Sequence, residues 1–246
     1  MKLKVINSNS SGNAYILEND HEALLIECGV QFDRIQKALN FNLAKVAGCL
    51  VSHEHKDHSK AAPEVLKRGI KVYSSPGTHK AMGTVAHHRA KLLLPGVEET
   101  IGGFKVKPFD IKHDCEQPYG FLISHVETGI ILFLTDSYYV EYVFPGLSNI
   151  IIEANYCNKI LKEKVEAGTS PHFLRDRVFQ SHMSIETCKA TLQANDLSRV
   201  QNILLIHLSD GNSDARRFKR EVEEQTGKTV HIAEPGLEIP FNKTAF

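Results

Sequence analysis

In the run His53-Glu54-His55-Lys56-Asp57-His58, three imidazoles and the Asp57 carboxylate fall within six residues. Their spacing fits neither one face of a helix nor one face of a strand, so the four side chains can converge only from a loop. Imidazole and carboxylate donors together favour zinc, with manganese or iron as alternatives. The plain alternative is a His-rich surface turn, a pattern expected by chance in on the order of one in several hundred chains this size. Three later residues weigh against chance: His113 follows the apolar stretch Phe104 to Ile111, Asp136 follows Ile130 to Leu134, and His207 follows Asn202 to Ile206. A His or Asp that ends an apolar strand faces the rim of a sheet, and strand-end loops are where sites are built. Each alone reads as readily as a cap or turn residue. Three in equivalent positions, behind a metal-binding loop, make a site.

Several elements must carry these residues. Val5 to Ile6, Ala14 to Leu17 and Ala23 to Glu27 are short β-prone runs broken by Asn, Gly, Ser and Asp, an opening antiparallel meander. Phe32, Ile35 and Leu39 have helical spacing. Ala47 to Val51 reads as a buried strand feeding the His-rich loop, with a helix after it from about Lys60 to Arg68 that tolerates Pro63 in its first turn. Lys71 to Ser74 is a strand, and the stretch 76–95 is helical at first and then irregular. Gly120 to His125 and Ile130 to Leu134 form a hairpin; Asn149 to Glu153 is a strand and Lys159 to Ala167 a helix. Ser184 caps a helix to Ala194, and Asp214 to Thr226 is a charged amphipathic helix closed by Gly227. Strands cluster and then alternate with helices in both halves, which predicts two mixed sheets between helices. With no short repeat, low-complexity tract or Pro/Ser-rich linker, one domain over residues 1–246 is expected.

Composition narrows the classes. A chain of 246 residues, 42% hydrophobic and 24% charged, can bury a substantial core. Lys plus Arg total 29 and Asp plus Glu 29, and this balance argues against a tight grip on a long nucleic-acid backbone. Five scattered cysteines without a C-x-x-C pair read as reduced thiols, with Cys28, Cys49 and Cys188 in apolar, core-forming runs. The absence of an apolar signal core or bilayer-length run leads to the expectation of a cytoplasmic protein without a membrane partner.

With the loop and the three strand-end residues together, the sequence resembles the metallo-β-lactamase superfamily over nearly its whole length, and more closely its phosphodiesterase branch. The resemblance implies the α/β, αββα sandwich of that fold. It implies two divalent metal ions per chain, Zn2+ ahead of Mn2+, with His53, His55 and His113 on one, Asp57, His58 and His207 on the other, and Asp136 bridging. True β-lactamases usually carry Cys where Asp136 stands, and a carboxylate bridge suits a pair of cations that clamp a phosphodiester.

Ser8-Asn9-Ser10-Ser11-Gly12-Asn13, Leu134-Thr135-Asp136-Ser137, Glu153-Ala154-Asn155, His182-Met183-Ser184 and His207-Leu208-Ser209 look like the YycJ-type nucleases. They look equally like the tRNA 3′-end processing endonucleases and the phage anti-Pycsar phosphodiesterases. From spacing alone His182 is as readily a packing residue before a helix as a catalytic one. The resemblance implies that it protonates the leaving oxygen. Asp57 and Glu153 join it in the expected catalytic set, although Glu153 could orient His182 or merely end its strand. Ser10, Asn13, Ser184 and Ser209 are the expected substrate contacts, with the loop from Ser8 to Asn13 as readily a solvated turn. Glu27 departs from the pattern, since Asp is usual behind the ligands there. The cap domain of the β-CASP nucleases is missing, and no long arm of the kind that holds tRNA is evident.

The neutral charge and compact length favour a small nucleotide substrate, a cyclic mononucleotide such as cCMP or cUMP. The alternative is a nuclease acting on DNA or RNA. A metal-dependent binding module without turnover, and a thiolester hydrolase, are further readings. The resemblance also implies a homodimer, and the stretch 78–94 is the candidate contact, with His79, His87 and His88 read as surface or interface residues.

Overall fold

The computed structural model describes residues 1–167 and 178–244. The opening meander is present as β1 (Lys2–Asn9), β2 (Gly12–Glu18) and β3 (Ala23–Ile26), each antiparallel to the next. Alternation sorts its side chains between two cores: Tyr15, Leu17, Leu24 and Ile26 face one, and Ala14, Ile16, Ala23 and Leu25 the other. Strands β4 (Val46–Leu50), β5 (Val72–Ser74) and β6 (Ala90–Leu92) continue the sheet in parallel, and β14 (Glu238–Pro240) closes its other edge against β1.

The second sheet opens with an antiparallel run of β7 (Glu99–Ile101), β8 (Phe104–Asp110), β9 (Tyr119–His125) and β10 (Gly129–Leu134). It continues in parallel through β11 (Leu147–Glu153), β12 (Asn202–Ile206) and β13 (Thr229–Ile232). The orders are β14-β1-β2-β3-β4-β5-β6 and β13-β12-β11-β10-β9-β8-β7, two mixed sheets as the sequence predicts.

Between the sheets lies a core in which Phe133 meets Tyr15 edge-on at 6.0 Å and Phe121 at 6.2 Å. Helices Phe32–Ala38 and Ala62–Lys67 cover the outer face of the first sheet, and Ile185–Ala194 and Ala215–Thr226 that of the second. Layering helix on sheet on sheet on helix buries every apolar face. Among the described residues, no helix is long and apolar enough to cross a membrane.

Three expectations change. The helix read from Lys60 to Arg68 begins earlier and is split into Lys56–Ser59 and Ala62–Lys67. The His55 carbonyl accepts from the amides of both His58 and Ser59 at 2.9 Å, so Asp57 and His58 project from a helical turn rather than from a loop. The irregular end of the 76–95 stretch contains β6. His79 is not a surface residue: it is fully buried, its Nδ1 2.8 Å from the Thr84 hydroxyl and its Nε2 3.1 Å from the Lys91 carbonyl. His87 and His88 do lie toward the surface, their rings stacked at 4.8 Å. The four cysteines Cys28, Cys49, Cys157 and Cys188 are buried and unbridged.

Candidate metal centre

Four strands, β4, β8, β10 and β12, deliver His53, His113, Asp136 and His207 just past their ends. His55, at the N-cap of the Lys56–Ser59 helix, and Asp57 and His58 within it complete the set. All seven come together. His113 Nε2 lies 3.1 Å from His55 Nδ1, and the His53 ring stands 4.7 Å from His55 and 4.6 Å from His113. Next to this triad, Asp57 Oδ2 is 3.2 Å from His207 Nε2 and 3.3 Å from His58 Nε2. Asp136 sits between them, its Oδ2 2.8 Å from His58 Nε2 and its Oδ1 3.9 Å from His207 Nε2. Within the set His53, His55 and His113, and separately within the set Asp57, His58 and His207, one donor atom from each residue lies within 4.8 Å of the other two.

Three of the imidazoles, His53, His113 and His207, are aimed by hydrogen-bonding partners behind them. His113 Nδ1 donates to the Ser181 carbonyl at 2.8 Å, which turns Nε2 inward. His53 Nδ1 is 2.9 Å from the Ser52 hydroxyl. The His207 amide donates to Ser8 Oγ at 2.9 Å, and the Asn155 side chain holds its ring at 3.0 Å. Glu27 keeps a carboxylate behind His58: it is wholly buried, one oxygen accepting from the Ser52 amide at 3.1 Å, the other 3.5 Å from His58 Nδ1. The Glu for Asp departure therefore still leaves a carboxylate behind His58.

Burial would raise the Asp136 carboxyl, but the charges of His207 and His58 and hydrogen bonds from His182 and His58 hold it well below the usual carboxylate range. Asp57 is likewise held low against its burial by His207 and His58. Burial, with the charge of His58 added, keeps His53 well below the ordinary imidazole range and so neutral. His53 Nε2 and His58 Nδ1 are buried without a hydrogen-bond partner. An orphaned imidazole nitrogen is costly unless a Lewis acid or proton donor meets it. At His53 that nitrogen lies beside the His55, His58 and His113 rings and close to the Asp136 carboxylate, donor types that fit a divalent cation.

His182 stands beside this cluster. Its Nδ1 lies 2.8 Å from both Glu153 Oε1 and Asp136 Oδ1. Burial works against its positive charge, but Glu153 and Asp136 outweigh it and push the imidazole up to about 11. Glu153 is fully buried, and its second oxygen accepts from the Met183 amide at 3.0 Å. A cleft of about 340 Å³ opens over these groups, and Ser10, Lys56, Asp114 and Ser181 complete its wall.

Of the four expected substrate contacts, Ser10 alone reaches the cleft wall. Asn13 is buried behind it, its amide 3.2 Å from His58 Nε2 and 3.3 Å from the Asp57 carbonyl. Ser184 is spent on capping, its hydroxyl accepting from the Thr187 amide at 3.0 Å. Ser209 donates its amide to the Asn155 carbonyl at 2.9 Å. Sequence reasoning missed Lys56, Asp114 and Ser181 on the wall, although Lys56 lies inside the very motif it singled out.

Two seven-stranded sheets between helices, with a His/Asp cluster across their strand ends, define the metallo-β-lactamase fold; the chain has that fold and is a metal-dependent hydrolase. The family model described as Anti-Pycsar protein Apyc1 matches residues 5–74, the segment that contains the His53–His58 motif. Exodeoxyribonuclease YycJ of Bacillus anthracis is 26% identical over 244 residues, covering 92% of this chain and 90% of that protein. Among solved structures, the metallo-β-lactamase fold protein YhfI from Bacillus subtilis superposes with a TM-score of 0.72 at 16% identity, covering 97% of this chain and 99% of YhfI. The short form of human tRNase Z gives 0.66 at 16% identity, covering 98% and 99%.

Proposed function

We propose that the chain is a phosphodiesterase that hydrolyses nucleotide phosphodiesters, with His53, His55 and His113 holding one divalent cation, Asp57, His58 and His207 a second, and Asp136 shared between them. The imidazole-rich donor set favours Zn2+, with Mn2+ as the alternative. Bound there, such a pair supplies Lewis-acid neutralisation of phosphate charge and makes water acidic enough to react near neutral pH.

The chain's own residues do the rest. Glu153 grips His182 at Nδ1, which fixes the ring and leaves its other nitrogen to the cleft that His182 lines. As water adds to phosphorus and the P–O ester bond breaks, His182 gives its proton to the departing alkoxide oxygen. Lys56, on the same wall, offers a positive charge to the phosphate. The observation that carries this reading is His182, pinned on a buried carboxylate at 2.8 Å and touching Asp136. A module that only bound a ligand would need no such proton donor.

For the substrate, a cyclic mononucleotide of the cCMP or cUMP type is supported by the small cleft, the neutral net charge and the likeness of residues 5–74 to the anti-Pycsar model. A second reading, cleavage of DNA strands, is supported by the similarity to YycJ, which runs along 92% of the chain. Incubation of the metal-loaded protein with cCMP, cUMP, cAMP and single-stranded DNA separates them. Ring opening of a cyclic pyrimidine nucleotide with DNA left intact is the expected result. Rapid DNA degradation with untouched cyclic nucleotides reverses the order, and inertness toward all four removes the phosphodiesterase reading.

A further inference from the structure

Apolar side chains left in water a few residues from the groups that line a polar cleft call for an explanation. Among the described residues, five Phe or Tyr side chains are exposed: Phe41, Tyr138, Tyr139, Tyr142 and Phe179. Four of the five lie within six residues of Asp136 or His182, and this clustering is not what scattered surface aromatics would give. Tyr138 and Tyr139 follow Asp136 by two and three residues and are 42% and 54% exposed. Neither ring contacts another ring or pairs its hydroxyl among the described residues.

Their backbone, by contrast, is tied down. Ser137 is fully buried; its hydroxyl donates to the Tyr139 carbonyl at 2.8 Å and accepts from the Lys112 amide at 3.1 Å. The Tyr138 amide donates to the Lys112 carbonyl at 3.3 Å. Lys112 directly precedes His113. The two tyrosines are thus fixed between the residues that bring Asp136 and His113 to the site, with Cα atoms at most about 7 and 11 Å from that of Asp136. Exposed rings on a backbone held this close to Asp136 are within reach of a group covalently attached to a phosphate in the cleft. Tyrosine is well adapted to the task, since its ring stacks at little entropic cost while its hydroxyl keeps the free surface wetted.

We infer that Tyr138 and Tyr139 form a stacking platform for the nucleobase next to the scissile phosphate. The inference rests on the phosphodiesterase reading and adds where the base is held. Stacking accepts any π-face, so the platform gives affinity for a base without choosing among bases.

The test compares substrates with and without the base: cUMP against ribose 3′,5′-cyclic phosphate, and a short deoxyoligonucleotide against the same strand with an abasic terminal residue. For the pair that is hydrolysed, the wild type is expected to prefer the base-bearing member. In the Tyr138→Ala/Tyr139→Ala double variant that preference in kcat/KM falls roughly 5- to 100-fold, mainly through KM, and the double Phe variant retains it. Independently of turnover, the metal-loaded His182→Ala protein quenches a 2-aminopurine-containing strand, and the same protein with both tyrosines changed to Ala does not. Equal hydrolysis of base-bearing and abasic substrates by the wild type overturns the inference, as does an unchanged preference or unchanged quenching in the double Ala variant. If light scattering shows the double Ala variant dissociating a dimer while the preference is kept, the rings are a subunit contact instead. Failure of every substrate counts against the phosphodiesterase reading, and the quenching measurement then still decides the platform.

Discussion

Glu27, Asp136 and His207 each stand just past the end of a strand in the left-handed region, with φ of 61°, 47° and 54°. Such a conformation costs an ordinary L-residue of order 1–3 kcal/mol and persists only where the surroundings enforce it. Here it ends the pleat and turns three charged or ligating side chains toward one point. The only other non-glycine residues with positive φ among those described, Asn40 and Phe41, are neighbours in a turn away from the cluster. The seven residues of the cluster were legible because His and Asp at strand ends are rare and mutually consistent. The groups that aim them were not: Ser8, Asn155 and Ser181 act through ordinary hydroxyl, amide and carbonyl contacts that many residues make. His182 tests this scale. Its replacement by Ala is expected to lower kcat by about 10²- to 10⁴-fold while leaving cation content unchanged. Near-normal turnover in that variant would leave the proton donor unassigned.

At the level of elements, the long central strands were readable and the edges were not. All four edge strands, β6, β7, β13 and β14, escaped the sequence reading, being three or four residues long and partly exposed, too short for alternation to register. A second element hidden in the sequence is the irregularity of β1 between Val5 and Asn7. One residue's shift reverses which side chains face inward, and it brings Ser8 rather than Asn7 against Tyr15 and the His207 amide. Along the same strand, Lys4 of β1 and Lys45 just before β4 both pair with Glu18 of β2. Burial raises the Glu18 carboxyl, but the two ammonium groups outweigh it and hold it below its ordinary value. A carboxyl lowered in the folded state stabilises above the unfolded pKa of about 4.3, and that contribution is lost as pH falls through the folded value. Glu18→Gln should therefore lower the melting temperature at about pH 7, with the gap to wild type closing toward about pH 3. A constant gap across that range would show that the ion pairs contribute nothing that titrates.

Over the whole molecule, the cluster joins the two sheets. His53, His55, Asp57 and His58 come from the first sheet's side, and His113, Asp136 and His207 from the ends of second-sheet strands. The inter-sheet core, with Phe133 between Tyr15 and Phe121, sets the distance at which these halves meet. Periodicity predicted two mixed sheets between helices because strands buried on both faces read as continuous apolar runs. It did not predict their stacking geometry, which depends on packing between residues more than a hundred positions apart. Cations held across that seam, as proposed, would bind the folded chain and not the unfolded one and so add to its stability by mass action. Elemental analysis of the purified wild type and of Asp136→Ala tests the paired site. About two divalent cations per wild-type chain are expected, and clearly fewer in the variant, since the shared carboxylate is gone. Wild-type protein without stoichiometric metal after exposure to Zn2+ and Mn2+, or a variant that keeps the full complement, would contradict it.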